Sequence, residues 1–88
     1  MGLDVVELFM QAEETFDIEI DNNDAGSARI VGDLYNLVLK QLEKKSGKKV
    51  EDPEAVWSKL RGLVVEQLQV REEEVVPDAR FNEDLGAD

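Results

Sequence analysis

The segment Leu3–Phe16, LDVVELFMQAEETF, decides how this chain folds. Its apolar residues recur every three or four positions, which is the pattern of an amphipathic helix with one face in a core. The predicted core face consists of Val5, Leu8, Phe9, Ala12 and Phe16. A second, narrower apolar stripe runs along the same segment and consists of Leu3, Val6 and Met10. The segment therefore predicts a helix with two distinct apolar sides.

The second stripe is bordered by acidic residues, with no basic residue near it. The acidic residues are Asp4, Glu7, Glu13 and Glu14. An apolar stripe with acidic borders is a candidate surface for docking on a basic partner. The alternative is that both stripes are buried and the acidic residues form a solvated face, and periodicity alone does not separate the two interpretations.

The composition limits the classes of function. The chain has 88 residues, a formal net charge of -11, and neither His nor Cys. This length predicts one domain, residues 1–88, with a small core. Residues 1–28 contain eight acidic residues and no Lys or Arg, which argues against nucleic acid and anionic membranes and for basic protein surfaces. No nucleophile–base pair stands out, so we do not expect an enzyme.

Two further patterns concern metal binding and location. Asp17, Glu19 and Asp21 superficially resemble the start of a calcium-binding loop, but Asn22 and Ala28 occupy the positions that require Gly and Glu. We therefore predict no metal site. No apolar run reaches membrane length and the N-terminus lacks a signal pattern, so the expectation is a soluble cytoplasmic protein.

The rest of the chain predicts an all-α bundle. After an extended turn, a short helical turn is expected from Asp24 to about Arg29, and a long helix from Asp33 to about Lys45. Gly47 is suited to end that helix. A third long helix should begin at Pro53, behind a capping Asp52, and run to about Gln69. A long ordered loop follows, with predicted anchors Val75, Val76, Phe81 and Leu85.

The two ends of the chain resemble the acyl carrier protein family. Leu85-Gly-Ala-Asp88 resembles the signature that directly precedes the modified Ser of that family, and Leu3–Met10 with Glu13–Ile20 resembles the segment that follows it. Residues 53–88 look like the family's first helix and first loop, residues 1–43 look like helices two to four, and residues 44–52 would be a new linker. The resemblance thus implies a small acyl-carrier-like helical bundle in circularly permuted order. A natural permutation, an engineered one and a fragment of tandem modules all stay open.

The family attaches 4'-phosphopantetheine to a Ser, and this chain lacks it. In the permuted order, Gly2 occupies the position of that Ser, with Asp88 on one side and Leu3 on the other. Gly has no hydroxyl. No cofactor is therefore expected on this chain. The resemblance implies a binding module that docks through the acidic helix on acyl-carrier-dependent enzymes of fatty-acid, lipid or polyketide synthesis. The alternative is a genuine acyl carrier whose Ser comes from another chain or a longer product.

The resemblance also favours the docking interpretation of the second stripe. It implies partner contacts by Leu3, Asp4, Val6, Glu7, Met10, Glu13 and Glu14. Both a monomer and a domain-swapped dimer, in which halves pair between chains, are compatible with the sequence.

Overall fold

A computed structural model describes residues 3–86, with side chains from residue 5 onward. The described residues form four α-helices and one 3-10 turn. They are α1 (Leu3–Phe16), α2 (Asn22–Ser27), α3 (Val31–Ser46), α4 (Pro53–Leu68) and the turn Glu72–Glu74. Within residues 3–86 the only β-pairing is an isolated bridge between Ile30 and Arg80. The predicted fold class of three main helices, one short helix and a long ordered loop is confirmed.

The helix ends follow from local chemistry. Asp52 caps α4 because its side chain accepts the Ala55 backbone N–H at 3.2 Å, and Pro53 stands at the first helical position. Gly47 ends α3 in the left-handed conformation, with a φ of 77°. These three predictions are confirmed.

Two helix starts differ from the predicted ones. The prediction for α2 began at Asp24, but the helix begins at Asn22 because Asp21 caps it and accepts the Asn23 N–H at 2.8 Å. The prediction for α3 began at Asp33, but the helix begins two residues earlier, at Val31. Asp33 instead reaches back from the first turn and accepts the Arg29 backbone N–H at 3.0 Å. In both cases the prediction placed the residue that caps the helix two positions too late in the sequence.

The core draws on both halves of the chain. Its buried residues are Val5, Leu8, Phe9, Ala12, Ile18, Ile20, Ala28, Val31, Leu34, Val38, Leu60, Val64, Val75, Ala79, Phe81 and Leu85. Phe9 of α1 packs edge-on against Phe81 of the C-terminal loop, with ring centroids 6.1 Å apart. The predicted anchors Val75, Phe81 and Leu85 are confirmed, whereas Val76 is 47% exposed. Val76 was wrongly predicted because the loop turns there and only the side chain before it points inward.

Aromatic packing secures the connection between α3 and α4. The Tyr35 hydroxyl donates a hydrogen bond to the Pro53 carbonyl at 2.9 Å. The ring of Tyr35 meets the half-buried Trp57 edge-on, with centroids 5.3 Å apart. The start of α4 is thus attached to the second turn of α3, which fixes the far end of the connection formed by residues 47–52.

The C-terminal loop crosses the start of α3 at very short range. The Gly32 N–H donates to the Pro77 carbonyl at 2.8 Å, and the Val31 N–H donates to the Ala79 carbonyl at 2.9 Å. A Cβ atom at Gly32 would lie 2.9 Å from the Pro77 oxygen, which is closer than such atoms approach. The absence of a side chain at Gly32 therefore permits the loop to close over the core.

We predict that Gly32→Ala lowers the free energy of unfolding by about 1–3 kcal/mol, because the added methyl group must displace the Pro77 backbone. The measurement is urea denaturation followed by circular dichroism. Gly62→Ala is the matched control, since it adds the same group in the middle of α4 where no atom lies within 4 Å. The control should stabilise the fold by about 0.5–1 kcal/mol, because Ala loses less backbone entropy than Gly in a helix. Equal effects of the two substitutions would contradict the close approach.

Candidate protein-docking surface

The outer face of α1 exposes an apolar pair with carboxylates beside it. Met10 is 56% exposed and Val6 is 39% exposed, and Glu7 and Glu14 are exposed as well. Large apolar side chains one helical turn apart are neighbours on a helix surface. The structure thus brings four of the predicted docking residues together on one side of the bundle.

Helical geometry explains the exposure. Successive residues of an α-helix are rotated by about 100°, so Val5, Leu8, Phe9 and Ala12 share one side and Met10 lies nearly opposite. Those four residues are buried, as predicted, while Phe16 at the end of the helix is only partly covered. The second stripe is therefore a surface feature at Val6 and Met10. The side chains of Leu3 and Asp4, and all of Gly2 and Asp88, lie outside the described part of the structure.

Glu13 makes a hydrogen bond within the chain that the sequence did not reveal. Its Oε2 atom accepts the backbone N–H of Ile20 at 2.9 Å, and the residue is half-buried. This bond holds the extended segment after α1, which places Ile18 and Ile20 in the core. One Glu13 oxygen is thus engaged inside the protein, and its contact with a partner stays a prediction.

Glu7 accepts a hydrogen bond from a residue that sequence reasoning missed. The Gln67 Nε2 atom, on α4, donates to Glu7 Oε2 at 2.9 Å. The two residues are 60 positions apart, so no local pattern could have joined them. The contact shows that the Glu7 side of α1 faces α4.

A salt bridge between Lys45 and Asp17 lies at the C-terminal end of α1. Lys45 Nζ donates to the Asp17 carboxylate at 2.6 Å and to the Asp17 carbonyl at 2.9 Å. Asp17 follows the helix in the left-handed conformation, with a φ of 54°. The hydrogen bond from Lys45, and then its positive charge, lowers the pKa of Asp17 from its ordinary value of 3.8. Lys45 thus offsets the charge of a nearby carboxylate.

The Ser hydroxyls of the described residues do not stand in the sequence context of a phosphopantetheine attachment. The Ser27 hydroxyl donates to the Asn23 carbonyl at 3.0 Å, and the Ser46 hydroxyl donates to the Lys48 carbonyl at 2.9 Å. Ser58 lies in the middle of α4, between Trp57 and Lys59. None of the three stands between an Asp and a Leu, which the resembled family requires. We therefore derive no chemistry through that group on this chain.

Across residues 3–86, no three Asp, Glu, His or Cys residues are grouped so that they could hold a metal ion. None of the helices found in that range has both the length and the apolar character needed to cross a membrane.

Comparisons with known proteins point to the same family. The chain is similar to the acyl carrier protein of Syntrophobacter fumaroxidans, with 53% identity over 39 residues that cover 44% of this chain and 48% of the relative. It is also similar to that of Borreliella burgdorferi, with 46% identity over 37 residues that cover 42% of this chain and 46% of the relative. The chain thus matches about half the length of these curated relatives. No family model matches the chain, and no solved structure matches it.

These matches confirm a partial similarity to acyl carrier proteins over about 40 residues. Together with the helical bundle, they agree with the family resemblance read from the two ends of the sequence. The permuted order and the missing attachment Ser are separate matters, which the matches do not address.

We predict that Lys45→Gln raises the pKa of Asp17 towards its ordinary value, because the hydrogen bond and the charge that lower it are both removed. The pKa of Asp17 is lower in the folded protein, so its contribution to stability is present above the unfolded-state pKa and is lost as the pH falls through the folded-state pKa. The variant should therefore lose stability relative to the parent at neutral pH and approach it in acid.

The measurement is an NMR titration of the Asp17 carboxyl carbon, with thermal melts at neutral and acidic pH. Lys49→Gln removes the same charge from an exposed position beyond α3 and is the matched control. If both variants raise the pKa of Asp17 equally, the general field of the basic residues is responsible and not the Lys45 pair.

Proposed function

We propose that this chain is an acyl-carrier-like binding module that docks, through the outer face of α1, on basic surfaces of acyl-carrier-dependent enzymes. The observation that carries the proposal is the exposed pair Val6 and Met10 with Glu7 and Glu14 beside it. The similarity to proteins named acyl carrier protein supports the choice of partner class. The proposed role is binding and not catalysis.

The physical basis of docking has two parts. Met10 offers a flexible, polarizable side chain that adapts to a shallow apolar pocket. The carboxylates raise the rate of encounter with a positively charged surface and disfavour acidic partners. Residues 1–28 contain no Lys or Arg, so no cation of this segment weakens that field.

We further propose that the order of elements is permuted and that the chain carries no arm of its own. Residues of the C-terminal half, such as Leu60 and Phe81, pack in one core with Leu8 and Phe9 of the first half, which supports a complete bundle within one chain. A collinear comparison can align only one side of a permuted chain, and the matches cover less than half of it. Gly2 in place of a Ser supports the absence of the arm.

We predict that Glu14→Lys weakens binding to a panel of purified acyl-carrier-dependent enzymes about tenfold at low salt, and less at high salt, because screening removes the charge contribution. Met10→Ala should weaken binding at both salt concentrations, since it removes an apolar contact. The measurement is surface plasmon resonance on the immobilised chain.

Matched controls separate docking from general charge and size effects. Glu51→Lys makes the same charge change in the exposed connection before α4, and Val76→Ala trims an exposed apolar side chain of the loop. Neither should alter binding by more than about twofold. The proposal is wrong if the parent chain retains no enzyme of the panel at low salt. It is also wrong if Glu51→Lys weakens binding as much as Glu14→Lys, and Val76→Ala as much as Met10→Ala.

A second candidate function is a genuine acyl carrier whose Ser comes from another chain or a longer product, and the names of the matched relatives favour it. For this chain alone we expect no gain in intact mass after incubation with coenzyme A and a phosphopantetheinyl transferase. An acyl carrier protein that carries its Ser serves as the positive control. A mass gain of one phosphopantetheine group would show that a hydroxyl of this chain accepts the arm, and it would contradict the proposal that the chain carries none.

A further inference from the structure

The contact between Glu7 and Gln67 lies where the docking face of α1 meets α4. The rotation of about 100° per residue puts Val6 and Glu13 on one flank of α1 and Glu7 and Gln11 on the other. The hydrogen bond of 2.9 Å between Gln67 Nε2 and Glu7 Oε2 identifies the second flank as the one beside α4. The exposed Met10 and Glu14 lie between the two flanks.

We infer that the docking surface spans α1 and α4, and that Gln67 is a positioning residue which holds the Glu7 carboxylate for a cationic side chain of the partner. The inference rests on the proposed docking function and deepens it. The partner it fits presents an Arg or Lys beside an apolar side chain. The cation meets Glu7 at the α1–α4 edge while the apolar group lies on Met10.

The chemistry of Gln67 suits this role. An amide donates a hydrogen bond without carrying a charge, so Glu7 keeps its full negative charge while its side chain is held in one conformation. A Lys or Arg in place of Gln67 would hold Glu7 equally well and neutralise it. The bond uses Oε2, and a carboxylate has about four acceptor sites, so Oε1 can accept from a partner. An Arg presents its donors in a fork that matches such a carboxylate.

The position of Gln67 limits the movement of Glu7. Gln67 is half-buried, whereas Glu7 is exposed, so the better-packed residue holds the freer one. A side chain that is already ordered loses less conformational entropy when the partner binds. Leu63, one turn before Gln67 on the same flank of α4, is also half-buried and extends the apolar surface.

The opposite flank of α1 is less suited to a cation. Glu13 is half-buried there and its Oε2 atom accepts the Ile20 backbone N–H at 2.9 Å, so this carboxylate holds the protein's own chain. Among the α1 side chains that the structure describes, the exposed acidic ones are Glu14 on the ridge and Glu7 beside α4. This asymmetry places the partner's cation on the α4 side.

The test is a double-mutant cycle with a defined probe. The probe is an amphipathic helical peptide in which one Leu is flanked by Arg residues a turn before and a turn after, and the matched peptide carries Glu in place of each Arg. Binding to the folded chain is measured by NMR titration at low and high salt. Gln67→Ala should weaken binding of the Arg peptide about threefold to tenfold at low salt, because Glu7 is no longer held. Thermal melts of each variant check that it is folded.

The cycle distinguishes positioning from a merely structural role. In the Glu7→Gln background, Gln67→Ala should have no further effect on binding, because no carboxylate remains to be held. Gln67→Lys should keep the fold, neutralise Glu7, and weaken binding at least as much as Gln67→Ala. A structural role would lower the melting temperature and would leave the two substitutions additive in binding.

Each remaining outcome decides one of the two proposals. If Met10→Ala weakens binding of the Arg peptide while the Glu7 and Gln67 substitutions are additive or silent, α1 docks the peptide and the inference on Gln67 is wrong. Equal binding of the Arg and Glu peptides also overturns the inference, because it would show that the positive charge of the peptide does not contribute to binding. If neither peptide binds the parent chain, both the inference and the proposed docking face are wrong.

Discussion

Burial of the inner face of α1 is the constraint on which the rest of the structure depends. Leu8 and Ala12 are fully buried, and Phe9 packs against Phe81 from the opposite end of the chain. A fully buried Leu or Phe side chain contributes about 1.5–3 kcal/mol, which is a large fraction of the stability of a small domain. Because α4 and the C-terminal loop cover that face, the C-terminal half of the chain holds α1 in place, and the outer face of α1 stays exposed at Val6 and Met10.

Local signals explain which parts of the fold could be predicted. Asp52 and Pro53 start α4 and Gly47 ends α3 through contacts within a few residues, so their effects are visible in the sequence. The apolar spacing of α1 likewise predicted its buried face, whereas it left the exposure of Met10 undecided and only the family resemblance favoured it. The hydrogen bond from Gln67 to Glu7 could not be predicted, because it depends on how two distant helices pack. Helix formation thus depends on local sequence here, whereas part of the proposed docking surface depends on the tertiary packing of two helices.

The two non-glycine residues with positive φ show how differently the chain supports an unfavourable backbone. Asp17 and Gln69 each have a φ of 54°, a conformation that costs a non-glycine residue about 1–2 kcal/mol. Asp17 gains two hydrogen bonds from Lys45, which compensate part of that cost. Gln69 ends α4 in this conformation, which favours Gly at the end of a helix.

The carboxylates of this acidic chain divide by what they bind, and the division supports the docking proposal. Six of them accept a backbone N–H in the described residues, and they are Glu13, Asp21, Asp33, Asp52, Glu74 and Asp84. These acids stabilise helix ends and turns, so their number reflects the needs of the fold. Glu7 and Glu14 make no such bond to the described backbone and stand beside Met10 instead. Local helix ends and turns do not use these two charges, and their place beside Met10 agrees with the proposed recognition of a basic partner.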